Sequence, residues 1–251
     1  MQATPTITFN AINGICADIA PFQLTQASEV NNMSGTGTFT GPGISSSGLF
    51  DPFAATPGTH TIRYTFASSN GCINFKEQTV QVFPVPTANA GPDRFMLEGG
   101  NITLLGSGSG AGALSYLWKP PTALNSTTIA NPKATPTSDI FYTLQVTSRE
   151  GCSDTDVVFV KVLLAPVIPN AFSPNGDGIN DKWDITSLES YPGCTVEVYN
   201  RYGQIVYRSV GYSKPWDGTF SNKPVPAGTY YYIVNPKNGR QQLAGFVDVL
   251  R

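Results

Sequence analysis

The sequence predicts an all-β protein built from consecutive antiparallel sandwiches, and three observations carry that prediction. Its composition leans toward Thr, Val, Tyr and Phe with little Glu or Lys, the residue types that suit half-buried pleated surfaces. Short runs alternate in polarity with a period of two, as in Thr61-Ile62-Arg63-Tyr64-Thr65-Phe66, where Ile62, Tyr64 and Phe66 share one face. The 251 residues are also broken up by 20 Pro and 25 Gly, so two or three modules fit better than one large core. Almost no helix is expected.

Charge narrows the function classes. Charged residues make up 13% and the net charge is -2, so there is neither a basic face to gather phosphates nor an acidic run of the disordered kind. Nucleic acid is not expected as a partner. No stretch of about 18 apolar residues is present to span a bilayer, and Met1-Gln2-Ala3-Thr4-Pro5 lacks the basic end and apolar run of a secretory signal. The chain is therefore expected to be the C-terminal part of a longer exported protein. Four cysteines without a CxxC pair suit an oxidising compartment rather than a zinc site.

The first two thirds hold an imperfect repeat. Tyr64-Thr65-Phe66 precedes Gly71-Cys72 and Thr79-Val80-Gln81-Val82, and Tyr142-Thr143-Leu144 precedes Gly151-Cys152 and Phe159-Val160-Lys161-Val162. The Gly-Cys pairs are offset by 80 residues, from 72 to 152, a module-sized period. Each segment reads as two strands joined by a Gly-containing turn. Proline cannot donate to a sheet ladder, so Pro84-Val85-Pro86 and Pro166-Val167-Ile168-Pro169 set expected boundaries, giving units 1–84, 85–165 and 166–251.

In the first unit the run Gly37-Thr38-Phe39-Thr40-Gly41-Pro42-Gly43-Ile44, with Phe50-Asp51-Pro52 and Gly58 to Tyr64, resembles immunoglobulin-like modules of Bacteroidota surface proteins. Cys16 and Cys72 lie 56 residues apart, and an intradomain disulfide between them is the first expectation, closing a loop worth about 4 kcal/mol. In the second unit, Ala90-Gly91-Pro92-Asp93, Gly106-Ser107-Gly108 and Tyr116-Leu117-Trp118-Lys119-Pro120 resemble PKD-like modules of the same proteins. Trp118 is expected to anchor the core. Cys152 is left either free or bonded across a boundary to Cys194.

From residue 166 the texture changes. Five motifs follow in order: Pro169-Asn170-Ala171-Phe172-Ser173-Pro174-Asn175-Gly176-Asp177-Gly178-Ile179-Asn180-Asp181, then Tyr191-Pro192, Val198-Tyr199-Asn200-Arg201-Tyr202-Gly203, Trp216-Asp217-Gly218, and Pro226-Ala227-Gly228-Thr229-Tyr230-Tyr231-Tyr232. The chain then runs Gly245-Phe246-Val247-Asp248-Val249-Leu250-Arg251. Together these resemble the gliding-motility-associated C-terminal domain, the type B sorting domain of type IX secretion. That resemblance implies recognition by the translocon, a dedicated outer-membrane partner and delivery to the cell surface or beyond. It carries a recognition role onto Phe172 to Gly178, Asn180 and Asp181 of the first motif. The same role falls on Asn200, Arg201, Gly203, Trp216, Asp217, Gly218, Gly228 and Tyr230, and on Gly245, Val249, Leu250 and Arg251 at the end. Independently of the resemblance, Asn200 to Gly203 suits a tight hairpin reversal between two alternating strands.

One loop raises a metal question. With Ser173 as position 1, Asn175, Asp177, the Ile179 carbonyl, Asp181 and Asp184 fall at positions 3, 5, 7, 9 and 12 of an EF-hand-like calcium loop. Against calcium, Ser replaces the usual leading Asp, and Asn, Asp and Gly are also ordinary turn residues. An enzyme is not expected: His60 is the single histidine, in strand-like sequence, and neither GxSxG nor a phosphate-cradling loop is present. The alternative to sorting is a set of glycan- or protein-binding sandwiches whose loops, such as 35–47 or 106–112, contact a ligand.

Overall fold

The computed structural model describes residues 3–251; Met1 and Gln2, which open the segment read for a secretory signal, lie outside the described residues. The all-β expectation holds, for the helical content comes to one short turn in each of two places.

In unit 1 the strands are β1 (Ile7–Phe9), β2 (Ile15–Cys16), β3 (Phe22–Gln23), β4 (Ala27–Glu29), β5 (Gly35–Thr40), β6 (Leu49–Phe50), β7 (Gly58–Ser68) and β8 (Ile73–Phe83). Helix α1 (Pro52–Ala55) is a single turn capped by the Asp51 carboxylate, which accepts from the Phe53 and Ala54 amides. Four strands form one sheet in the order β2-β8-β7-β5, faced by the pairs β1-β4 and β3-β6. Ile62, Tyr64 and Phe66 point into the core, as their alternation predicts, beside Phe39, Phe50, Val80 and Val82.

Unit 2 repeats the plan with β9 (Thr87–Asn89), β10 (Arg94–Leu97), β11 (Ile102–Thr103), β12 (Ser107–Ser109), β13 (Leu114–Lys119), β14 (Lys133–Ala134), β15 (Ile140–Ser148) and β16 (Ser153–Leu163). Its main sheet runs β10-β16-β15-β13, with β10 parallel to β16 as β2 is parallel to β8. The two long hairpins turn alike: the amides of Gly71 and Gly151 donate to Ser68 and Ser148, and those serines' amides donate to the Cys72 and Cys152 carbonyls. Each turn needs a positive φ, 86° at Gly71 and 90° at Gly151, which glycine adopts without strain. Trp118 is 1% exposed, and its indole N–H donates to the Ile129 carbonyl at 3.1 Å. The acidic residues of this unit pin strands: Asp154 and Asp156 accept from the Ala88 and Ala90 amides, and Asp93 of the Ala-Gly-Pro-Asp motif accepts from Phe159, each at 2.8 Å.

Unit 3 contains β17 (Ala171–Phe172), β18 (Thr195–Tyr199), β19 (Ile205–Val210), β20 (Thr219–Phe220), β21 (Lys223–Pro224), β22 (Gly228–Asn235) and β23 (Leu243–Val249), with a 3-10 turn at Leu188–Ser190. Its five-stranded sheet runs β17-β23-β22-β18-β19, and β17 is parallel to β23. Units 2 and 3 are tied where they meet. The buried Tyr191 hydroxyl donates to the Leu164 carbonyl at 2.8 Å and accepts from Arg240 Nε at 2.8 Å, while Arg240 Nη2 reaches the Leu163 carbonyl at 3.2 Å. Replacing Tyr191 by Phe removes the hydrogen bonds to the Leu164 carbonyl and from Arg240 Nε, and about 0.5–1.5 kcal/mol per bond of unit 3 stability is expected to go. Denaturant unfolding of the full chain measures it, and an unchanged midpoint would count against the tie.

The cysteine pairing differs from expectation. Cys16 is bonded to Cys152, 136 residues away, with Cα atoms 5.6 Å apart. It is not bonded to Cys72, and Cys152 is not bonded to Cys194. The ladder gives the reason. Cys16 lies beside Phe83, whereas Cys72 is next to Ile73 at the far end of the same strand. From 72 to 83 is eleven residues, about 37 Å at strand rise, while a disulfide needs Cα atoms within roughly 7 Å. Cys16 instead sits at the end of unit 1 that meets the β15–β16 turn of unit 2. Closing so long a loop restricts the unfolded chain by about 5 kcal/mol in the chain-entropy model. Cys194 is a buried thiol inside unit 3, whose pKa burial pushes up.

Candidate recognition site

Unit 3 separates its motif residues into a buried frame and an exposed set. The frame centres on Trp216, 1% exposed, whose ring lies 5.3 Å from Phe172 and 5.5 Å from Tyr230. Its indole N–H donates to the Thr219 carbonyl at 2.9 Å. Asp217 caps the turn that follows, accepting from the Thr219 amide at 3.0 Å and hydroxyl at 2.6 Å. Gly218, with φ 71°, is where the chain crosses Pro174 and Phe172; a Cβ there would meet Pro174 Cγ at 2.9 Å. Val249 is buried and pairs with Phe172, and Gly245 lies against the Tyr232 ring, where a Cβ would sit 2.6 Å from its hydroxyl oxygen.

Two residues outside the predicted set hold this frame. Trp183 is fully buried, its indole donating to the Pro169 carbonyl at 2.8 Å. Tyr212 donates its hydroxyl to the Trp183 carbonyl and accepts from the Trp216 amide at 3.4 Å. Burial pushes the Tyr212 pKa far up. A tyrosine that resists ionising when folded, against about 10 when unfolded, contributes stability that is whole below pH 10 and is lost as pH rises beyond it. Alkaline melting should therefore show a drop above pH 10 that Tyr212→Phe reduces; equal slopes in the two proteins would refute this. Neither Tyr212 nor Arg240 belongs to a motif, and only three-dimensional proximity reveals them.

The loop from Ser173 to Asp181 closes on itself. The Asp181 carboxylate accepts from the Gly176 amide at 2.7 Å and the Gly178 amide at 2.8 Å. Asp177 accepts from the Ile179 amide at 2.8 Å and from Asn175 Nδ2 at 3.0 Å, and Ser173 donates its amide to the Asn180 carbonyl at 2.9 Å. Its carboxylates thus serve backbone N–H donors, and among the described residues no group of three or more His, Cys, Asp or Glu is placed to hold a metal ion. The Gly176 and Gly178 amides hold the Asp181 carboxyl below the usual range. Its contribution is present above about pH 4 and lost as pH falls through the folded value. Amide shifts of Gly176 and Gly178 should move together in that acid window; shifts that stay flat there would overturn the assignment.

Apart from the exposed 175–180 loop, a second group of motif residues lies around the turn between β18 and β19. Asn200 shapes the hairpin turn, its side chain accepting from the Tyr202 amide at 3.0 Å and the Gln204 amide at 3.1 Å, with Gly203 at φ 79°. That turn holds Arg201 over the Tyr202 ring, 5.3 Å from its centroid, and leaves Tyr202 81% exposed. Across from it, Pro226 to Tyr231 form the other wall of a cleft of about 340 Å³. Tyr230 lies at its base, its hydroxyl donating to the Pro226 carbonyl at 2.9 Å. Burial raises the Tyr230 pKa, and the charges of Arg201 and Arg251 act on it in the opposite sense, so both guanidiniums lie within electrostatic reach of the cleft. Leu250 is exposed beside Arg251.

Residues 167–249 match the family model CHU_C, the type IX secretion signal domain. The last third of the chain is similar to that domain. Such a signal implies interaction with the type IX secretion system and export to the cell surface or beyond, and no helix among the described residues is long and apolar enough to cross a membrane. Among curated proteins none matches this chain. Solved structures similar to it include Sidekick-1 immunoglobulin domains 1–4, with 14% identity over 98% of this chain and 76% of that one at TM-score 0.36. A second is Dpr2 Ig1-Ig2 in complex with DIP-Theta Ig1-Ig3, with 11% identity, 98% and 99% coverage and TM-score 0.40. A third is the Bacteroides ovatus mixed-linkage glucan utilization locus SGBP-B in complex with mixed-linkage heptasaccharide, with 17% identity, 99% and 71% coverage and TM-score 0.28.

Proposed function

We propose that unit 3 is the address by which the type IX machinery, through a dedicated outer-membrane partner, takes up an adhesin-like surface protein, and that the address is read at the Arg201–Tyr202 cleft. One observation supports this reading above the others: the motif residues Asn200, Arg201, Gly228 and Tyr230 line one cleft with the exposed Tyr202, and Tyr230 there rests against the buried Trp216 ring. Aromatic and arginine side chains around a partly enclosed cavity are the types that dominate binding energy at protein interfaces. Units 1 and 2 act as a non-enzymatic stalk that holds the address at a distance from whatever precedes them. His60, the single histidine, is occupied with the Thr56 carbonyl at 2.7 Å.

The test places a secretory signal peptide and a fluorescent reporter ahead of the full chain in a host with type IX secretion. Surface or extracellular fluorescence is expected, and periplasmic retention with intact machinery overturns the address. Arg201→Ala combined with Tyr202→Ala should cut export about tenfold or more, the effect of losing roughly 1.4 kcal/mol or more of docking energy, without changing the melting temperature. Normal export of that variant would move the reading surface elsewhere.

A further inference from the structure

The Cys16–Cys152 bridge does more than join two units, because of what it encloses. The sulfurs connect residues 136 positions apart and hold their Cα atoms at 5.6 Å. Everything from β3 to β15 lies inside this covalent ring, which is most of unit 1 and most of unit 2. We propose that the bridge is a load bypass: tension along the chain passes from Cys16 to Cys152 through sulfur, and residues 17–151 stay unstretched even if their sheets come apart.

The path outside the ring shows how the load is carried. From the N-terminal side, force reaches Cys16 through β1 and β2 and re-enters the chain at the start of β16. Strand β16 is the single element of unit 2 on the path, and as a strand it is already close to full extension at about 3.3 Å per residue. It gains almost no length when pulled, and it is clamped by β15 on one side and β10 on the other. Unit 3 stays in series with the load. There β17 and β23 run side by side and parallel, so opposite pulls at their outer ends shear their ladder. A reducible bridge at this position makes the extensibility of the stalk depend on redox state. Its use on a cell surface rests on the export reading above; its topology does not.

Force spectroscopy on the full chain, with handles at its two ends, tests the proposal. The oxidised protein should unfold with the ring still closed. A dithiol, which supplies two electrons and two protons to open the bridge and itself becomes a cyclic disulfide, should add about 480 Å to the final extension, given 136 residues at roughly 3.5 Å each. Cys16→Ser with Cys152→Ser should give the same gain, and the reduced wild type supplies the comparison if that variant does not fold. Equal final lengths in oxidised and reduced chains overturn the bypass, as does a non-reducing peptide map that joins Cys16 to Cys72. The force measurement involves no secretion machinery, so its failure and a failure of the export reading are distinct results.

Discussion

Replacing Trp216 by Ala is expected to destabilise unit 3 by about 3–5 kcal/mol, the cost of emptying a buried tryptophan site. The side chain is 1% exposed and touches rings from three directions, Phe172 at 5.3 Å, Tyr230 at 5.5 Å and Tyr207 at 6.2 Å. Its indole N–H would also leave the Thr219 carbonyl unmatched. A loss of that size is a large part of the 5–15 kcal/mol that holds an ordinary domain together. Native-state hydrogen exchange in the full chain reads it locally: protection in Thr195–Tyr199 and Gly228–Asn235 should fall by several hundredfold or more, while β7 and β8 of unit 1 keep theirs. Export should fall as well, because the cleft wall at Tyr230 rests on the Trp216 ring. Unchanged protection in those two strands would show that the cluster does not carry the unit. The contrast with the Arg201/Tyr202 double variant is informative, since that change spares the fold and removes only what a partner would touch.

Much of this architecture is legible in the residues because local rules decide it. Ile62, Tyr64 and Phe66 face the core since strand side chains alternate, and the paired hairpins are visible because both turns require a glycine with positive φ at Gly71 and Gly151. The hairpin at Asn200 to Gly203 is readable for the same reason. What local rules cannot supply is the contact between elements distant in sequence. The partner of Cys16 depends on which end of one sheet meets the next unit, and neither the 56-residue spacing nor the Gly-Cys repeat encodes that. In the same way Arg240 gains its role from Tyr191 and Tyr212 from Trp183, partners that lie far from them along the chain. The motif residues from Ser173 to Asp181 illustrate a third limit. Their types fit metal ligation and turn formation alike, and what the sequence does not give is the set of hydrogen bonds, amides donating to Asp177 and Asp181, by which the loop closes on itself.

The second large effect is expected from removing β23. Deleting Leu243 to Arg251 should abolish cooperative folding of unit 3, because this strand lies between β17 and β22 and is the sole link holding β17 in the sheet. Val247 and Val249, both buried, contribute about 1.5–3 kcal/mol each by burial alone, and the ladders to two neighbours are lost with them. Phe172, paired with Val249, then has no partner strand, and the Trp216 cluster opens. Deleting only Leu250 and Arg251 should behave differently. Both are exposed, although the Leu250 amide donates to the Phe172 carbonyl at 2.9 Å, so the fold should survive with slight fraying at β17. The Arg251 charge near Tyr230 disappears, however, and export should weaken through the cleft rather than through stability. Thermal melting and surface fluorescence of the two truncations separate these causes. If the two-residue deletion melts as the intact chain does yet exports poorly, the end of the sheet is part of what the machinery reads; if it exports normally, the reading surface is confined to the Arg201–Tyr202 side of the cleft.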